Sequence, residues 1–523
     1  MDASRSSSHG KFDIFPGDMS GVIADLHHLS CCPRCVLRLC GEKDIEIYRK
    51  PIKELEKNIA SIVGEATNTE NSTVNAPVQT MDNHNGSSQP VCPSCLGLLT
   101  LCTDENFLEK CRADVEEEDF QFSKYSLSVS VPLQLLIREH SILLHLRQKH
   151  SQLDVFKAVT SEDIFQVKDI FKWIFSQMLA EVLEVAFVPL CPFEVSLSFT
   201  HEETDAECGT LIKTDSCKEK GTSRPRKKRK LVKRNAITKP AVTEALSKLS
   251  NYETFKREFT KCPLTSPSRA ADCSVTCQHS PIYVAGRYNK YSRELSQTPW
   301  ILEGERKGVT SVEELICEKI KLKVIAKGYN FSSSGREDID VCTLGKGRPF
   351  VVEFTNPHRV KLSSSEMKQL QEDINGSTKI VAVRDLQMIN KSEIAKLKEG
   401  ETEKTKSYSA LISIDKAIEP EDLQFLTDVK NLVLKQSTPI RVLHRRPLAV
   451  RDKVIHTMSA DFINPHHFRL YLCTQAGTYI KEFVHGDFGR TKPNLCTLMN
   501  ANTDILELDV TAVNLDWPKQ IDD

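Results

Sequence analysis

Two stretches of the chain, CCPRC at 31–35 and VCPSC at 91–95, repeat one pattern: a Cys-Pro-x-Cys knuckle, formed by Cys32 and Cys35 and again by Cys92 and Cys95. Two residues between cysteines let both thiolates of a tight turn reach one zinc ion at about 2.3 Å, and two such turns complete a tetrahedron. Whatever lies between the knuckles must then leave the site and return to it. Four thiolates leave no open position for water, so the expected role is structural, with metal binding supplying folding energy. The rival reading, a pair of redox dithiols, requires a single essential Cys-x-x-Cys beside a βαβ pattern; the doubled spacing favours zinc. Cys31 and Cys40 crowd the first knuckle, and spacing alone selects Cys32 over Cys31. The segment CSVTCQH, Cys273 to His279, has poorer metal spacing and is expected to be ordinary loop and core.

Between the knuckles, residues 66–90 are polar, free of aromatics and rich in turn formers, and read as a disordered insertion within an N-terminal region 1–118. At 523 residues the chain exceeds what one core organises, so two or three domains are expected. Its 40% hydrophobic and 27% charged residues, with a net charge of -1, fit a soluble globular protein on which any nucleic-acid surface is a local patch. No run of about 18 apolar residues occurs, and the first residues lack a basic start followed by an apolar stretch. Neither a membrane span nor a secretory signal is expected, and an intracellular location follows. In that reducing setting the eighteen cysteines are not expected to form disulfides.

From 119 to 215, alternating runs (FQFSKYSLSVSVP, FEVSLSFTH) flank the helical stretch DIFKWIFSQMLAEVLEV, which suggests a small α/β unit. Residues 216–240 read as a linker carrying eight basic residues and no acid between Arg224 and Arg234. That run suits nuclear import, contact with an RNA backbone, or a solvated linker. Residues 241–279 read as a connecting helix and loop, and 280–523 as the largest folded region, dense in strand and turn signals. Within it SSSEMKQLQEDING is a helix with a serine N-cap, an early Glu366 and an Asn375-Gly376 stop.

The segment FSSSGREDIDVCTLGKGRPFVVEF, 331–354, places Arg336, Glu337, Asp338 and Asp340 on a loop just before a strand. Gly345-Lys346-Gly347 reads as a turn leading into the strand RPFVVEF. A sheet can fix a carboxylate while the loop leaves room for a substrate, and Arg336 would favour the charged form of Asp338. A hydrated loop with a local ion pair of little worth is the competing reading.

Six segments taken together, in order, resemble a known family: VAGRYNKYSRELSQTPWILEGERKGVTSVEELI, SSGREDIDV, GRPFVVEFTNPHRV, EKTKSYSALI, TPIRVLHRRPLAVR and GTYIKEF. They look like the archaeal and eukaryotic tRNA pseudouridine synthases that modify uridines 54 and 55, across about 280–518. The paired knuckles and the α/β stretch resemble that family's zinc-containing, THUMP-like RNA-binding region. The resemblance implies an α/β (α+β) fold: a catalytic domain on a mixed sheet, preceded by a zinc-containing THUMP-like accessory domain.

It also implies an isomerase that detaches uracil from C1′, rotates it and rejoins it through C5, with structural zinc and no organic cofactor. In one branch of the synthases the loop reads Gly-Arg-Thr-Asp, which Gly335-Arg336-Glu337-Asp338 matches, so Asp338 is the implied nucleophile. Arg336 would fill the space left by a flipped uridine. Tyr408 would stack on the base, Lys481 would pair with the carboxylate, and Tyr479 resembles a second substrate-site tyrosine. Strand alternation would set Tyr479 and Lys481 on one face. Where members usually carry an arginine this chain has Cys342, so one phosphate contact is expected to be missing. Arg359, Arg445, Arg446, Arg451, Arg469 and Arg490 are candidate phosphate contacts. The implied partner is tRNA, with microRNA precursors and their processing machinery as partners of an alternative, non-catalytic RNA-binding adaptor. No membrane partner is implied, and the expected locations are nucleus and cytoplasm, with the mitochondrion as a third.

Overall fold

The computed structural model describes residues 19–70, 90–153, 163–216, 237–402, 404–444 and 446–521. The basic run 224–234 and Arg445 lie outside the described residues, as does 71–89 of the expected insertion. Its first five residues, 66–70, instead continue the helix Ile52–Glu70. The chain divides into two compact units, Met1–Gln278 and His279–Asp523.

In the first unit the strand Lys124–Ser130 runs parallel to Phe193–Thr200 (Ser126 opposite Glu194) and to Ala186–Phe187, and Asp272–His279 completes a four-stranded sheet. The stretch expected to be loop, Cys273 to His279, is therefore mostly edge strand, since its alternating residues suit a half-exposed pleat. Helices Gln134–Lys149 and Val167–Val182 connect the parallel strands. One cluster of buried side chains gathers the cysteine segments, these helices and the sheet, with Tyr48, Phe171, Phe175 and Val195 fully enclosed. Lys239–Lys248 and Tyr252–Phe259 are two helices broken at Leu249, the second opened by an Asn251–Thr254 capping box.

The second unit is built on one ten-stranded sheet. Nine of its strands follow the order Val381–Ile389, Ile282–Lys290, Cys342–Pro357, Thr503–Val513, Lys406–Ile414, His467–Thr474, Val450–Asn464, Lys430–Ser437 and Thr491–Lys492, and the tenth, Ala326–Ser333, pairs with Cys342–Pro357 off this path. Ile282–Lys290 is buried at every position because both faces of the sheet are covered. Val284, Phe350 and Val352 face helices Val312–Val324 and Ser364–Ser377, while Tyr283, Ala285 and Val351 face the other core. The helix Ser364–Ser377 has Ser363 as its N-cap in a capping box with Glu366. Asn375 falls inside its last turn and its side chain pins Val383 through both N–H and C=O.

The strand Cys342–Pro357 positions the acidic loop. Along one edge its far end pairs with Ala326–Ser333 (Phe331 opposite Val352), and its near end pairs in parallel with Thr503–Val513 (Cys342 opposite Asp509). The loop 334–341 sits where one neighbour gives way to the other, at a split in the sheet. Gly345-Lys346-Gly347, expected as a turn, lies inside this continuous strand. Gly345 and Gly347 take φ of +59° and +76°, and a Cβ there would lie 2.2 Å from Thr511 O and 2.7 Å from Tyr288 O. The glycines permit a bulge pressed between neighbouring strands.

Candidate active site

The loop is anchored from below by buried polar groups. Glu337 is enclosed, accepting from Tyr288 OH at 2.8 Å, with Arg348 Nε 2.9 Å from Oε2 as an ion pair that lacks hydrogen-bond alignment. Arg348 Nη1 donates to Ser334 O at 2.8 Å. Gln297 Nε2 reaches Gly335 O at 3.1 Å, and buried Lys290 donates to the carbonyls of Ile339 (2.7 Å) and Asp338 (3.3 Å). Burial holds the Lys290 ammonium below the usual lysine range. Gly335 is required here: its φ is +93°, and a Cβ would lie 2.6 Å from Lys406 Nζ. Glu337, which the sequence left without a role, is the loop's buried anchor.

Above these anchors Asp338 is half-buried and faces two cations. Arg441 Nη1 donates to its Oδ2 at 2.7 Å, and Lys481 Nζ stands 3.8 Å away. Arg441 also donates from Nε to Glu482 Oε1 at 2.7 Å, so one guanidinium ties the loop to the helix Ile480–His485. Lys481 bonds Asp340 Oδ2 more closely, at 2.6 Å. Burial alone would raise the Asp340 carboxyl, but Lys481 outweighs it and holds it below the ordinary carboxylate range.

The structure brings Asp338 and Lys481 together and leaves Arg336 apart. Arg336 is exposed and makes no hydrogen bond or ion pair among the described residues, so Arg441 and Lys481, not Arg336, are the cations at Asp338. Arg441 was missed because its partner is 103 positions away in sequence: the segment TPIRVLHRRPLAVR carries the family likeness, but nothing in it points to Asp338. Tyr479 and Lys481 are not strand neighbours either: Tyr479 is the N-cap residue of the helix that carries Lys481, its N–H and C=O both held by the Gln436 amide at 2.9 Å. The Tyr479 phenol lies within electrostatic reach of Arg441. Tyr408 is half-buried between Leu472 and Val510 in register, where burial pushes its phenol up and the Arg348 charge partly opposes this.

Of the other arginines, Arg451 Nη1 and Arg490 Nη2 converge on Thr438 Oγ1 and O at 3.2 and 2.6 Å. Arg469 reaches Ser409 Oγ at 3.3 Å, Arg359 donates to His358 O at 3.4 Å, and Arg446 is exposed. Cys342, 6% exposed with its thiol toward Tyr291 O, offers a phosphate no surface.

In the first unit Cys32, Cys35, Cys92 and Cys95 place their sulfurs within 4.8 Å of one another, and this group can hold a metal ion. Cys32 Sγ and Cys95 Sγ are 3.7 Å apart, close to the edge of about 3.8 Å expected for a tetrahedron with 2.3 Å arms. Two fully buried arginines brace the knuckles: Arg34 donates to Tyr48 O and Leu99 O, and Arg38 donates to Ser94 Oγ and pairs with Glu139.

Two family descriptions match the chain: "Eukaryotic Pus10, N-terminal" over residues 92–277 and "Pus10, C-terminal" over 283–514. The chain is 45% identical over 523 residues to the tRNA pseudouridine synthase Pus10 of Homo sapiens, covering 94% of this chain and 96% of that one. Identity is 44% over 510 residues to the Xenopus laevis protein of the same name, with the same coverage. To that of the archaeon Thermofilum pendens it is 38% over 275 residues, 52% of this chain and 61% of the other. A solved Cbf5-Nop10-Gar1 complex overlaps 43% of this chain and 48% of that chain at 15% identity, with a TM-score of 0.24.

Proposed function

The chain belongs to the Pus10 family of tRNA pseudouridine synthases, and from that premise we propose that it isomerises uridine 54, uridine 55 or both in the tRNA TΨC arm, with Asp338 as nucleophile. The observation that carries the assignment is the Asp338 carboxylate at the split in the sheet, with Oδ2 held by Arg441 and Lys481. Holding one oxygen leaves Oδ1 to react at C6 of uracil or C1′ of ribose, or to take a proton in a glycal route. Each route breaks the N1–C1′ bond, forms C5–C1′, moves the C5 proton and leaves the composition of the RNA unchanged.

A uridine inside a folded arm must be turned out to reach this site. Exposed Arg336 suits the vacated space, and Tyr408 and Tyr479 suit contact with the flipped base. Zinc is the metal proposed for the four cysteines, on the sulfur spacing and all-thiolate donor set, and its contribution there is to folding. The parallel strands and helices of 119–215 support a THUMP-like RNA grip, and binding of microRNA precursors is proposed as a second use of that grip. The proposed locations remain nucleus and cytoplasm, with the mitochondrion as a third.

Carbodiimide mapping of unmodified tRNA incubated with the purified protein tests the function. Pseudouridine at 54, 55 or both is expected. Bound but unmodified tRNA would favour the non-catalytic adaptor.

A further inference from the structure

Four consecutive residues, Gly486, Asp487, Phe488 and Gly489, hold φ of +77°, +47°, +56° and +80°. Glycine adopts this region freely, whereas a bulky phenylalanine is strongly disfavoured there. The corner persists because its surroundings over-determine it. Asp487 N donates to His485 Nδ1 at 3.1 Å, and Asp487 Oδ2 accepts from Ile440 N and pairs with Arg490 Nε, each at 3.4 Å. A Cβ at Gly486 would lie 2.6 Å from Asn494 Nδ2. What this strained corner presents is the ring of Phe488, 95% exposed. Backbone strain and an exposed ring both oppose folding, so the pairing points to a use outside the folded chain.

The corner is fastened to the Asp338 cage on two sides. Gly486 ends the helix whose first turn carries Lys481 and Glu482, and the amide that Asp487 captures precedes Arg441. Asp487, next to Phe488, therefore holds the residue adjacent to the arginine that holds Asp338. The surroundings are basic: Arg451 and Arg490 meet at Thr438, and Lys435 lies directly opposite Lys492 across a strand pair. Like charges so placed weaken a strand pair. Asp452 opposes Lys435 on its other side, yet neither lysine makes an ion pair among the described residues.

We propose that Phe488 is a fixed stacking platform for an unpaired base of the substrate RNA close to the flipped uridine, with Arg451, Arg490, Lys435 and Lys492 facing the backbone phosphates. The inference rests on the tRNA reading above. A ring held rigidly before binding meets the flat face of a base with little ordering cost, and stacking of this kind tolerates any base. The strained backbone keeps the ring from folding back onto its own surface.

The test titrates unmodified tRNA into the full-length protein at several salt concentrations, comparing wild type with Phe488→Ala, Phe488→Leu and Phe488→Tyr. The alanine variant is expected to bind roughly 5- to 100-fold more weakly. Its salt dependence should match wild type, because no phosphate contact is lost. KM should rise more than kcat falls, tyrosine should restore binding, and leucine should not. The melting temperature should be unchanged or higher, since the ring is 95% exposed and its removal leaves no cavity. Affinity of the alanine variant within twofold of wild type, full binding by the leucine variant, or a lowered melting temperature would overturn the inference; a protein-docking role would show the first of these. Wild-type protein that neither bound nor converted tRNA would overturn the proposed function and this inference with it.

Discussion

Replacing Arg441 by methionine separates two jobs that one guanidinium performs. Glu482 is 1% exposed, its Oε1 is held by Arg441 Nε at 2.7 Å, and its Oε2 has no hydrogen-bond partner. Removing one member of a buried ion pair costs about 3–5 kcal/mol. The Arg441 side chain is 38% exposed, so water enters the vacated space, and the expected cost falls to about 2–3 kcal/mol. The double variant Arg441→Met, Glu482→Gln strands no charge, and its stability should return to within about 1 kcal/mol of wild type. Activity should not return, because both variants free Asp338 from its 2.7 Å partner, and misplacing a reacting group by about 1 Å costs on the order of 100-fold. Arg441→Lys keeps the charge without the fork and should fall between. Urea unfolding followed by circular dichroism gives the stabilities, and single-turnover pseudouridine formation gives the rates. A single variant as stable and as fast as wild type, or a double variant that regains both properties, would refute the reasoning.

Three further expectations follow from other parts of the molecule. Metal analysis should find one zinc per chain, and Cys95→Ser should lose it together with much of the thermal stability of the first unit; retained stoichiometric metal would exclude that ligand. Gly335→Ala, with φ of +93° and Lys406 Nζ 2.6 Å from the new Cβ, should cost on the order of 1–3 kcal/mol and slow turnover, measured by unfolding and kinetics. Glu366 is held at about 2 by the Ser363 amide and then by Lys323, below its ordinary value of 4.5. Its contribution is therefore fully present above about pH 4.5 and lost as pH falls through about 2. Glu366→Gln should be less stable than wild type at pH 7, and the difference should shrink as pH falls and vanish only below about pH 2, by thermal melts across that range.

What was legible in the sequence was what depends on near neighbours. The helix Ser364–Ser377 announced itself through Ser363 and Glu366, and the doubled knuckle located four sulfurs that the fold brings together. Family likeness supplied Asp338 and Lys481, which meet in space. Local reading failed where tertiary packing overrides it. Gly345-Lys346-Gly347 has turn composition, yet strands on both sides press it into a bulge. GTYIKEF alternates like a strand, but the Gln436 amide holds the Tyr479 backbone and a helix starts there. Arg441 and Glu337 gain their roles only from partners distant in the chain, Asp338 and Glu482 for the first and Tyr288 and Arg348 for the second. Both lie in segments that carry the family likeness, yet nothing within a few residues of either points to its partner.

The central claim is that the Asp338 carboxylate performs the chemistry while the surrounding cage and basic surface hold the RNA. Asp338→Asn keeps the size of the side chain and removes its charge, so tRNA binding and single-turnover conversion, measured on the same preparation, test the claim directly. Binding close to wild type with no detectable pseudouridine is the predicted result. Conversion near the wild-type rate would contradict it.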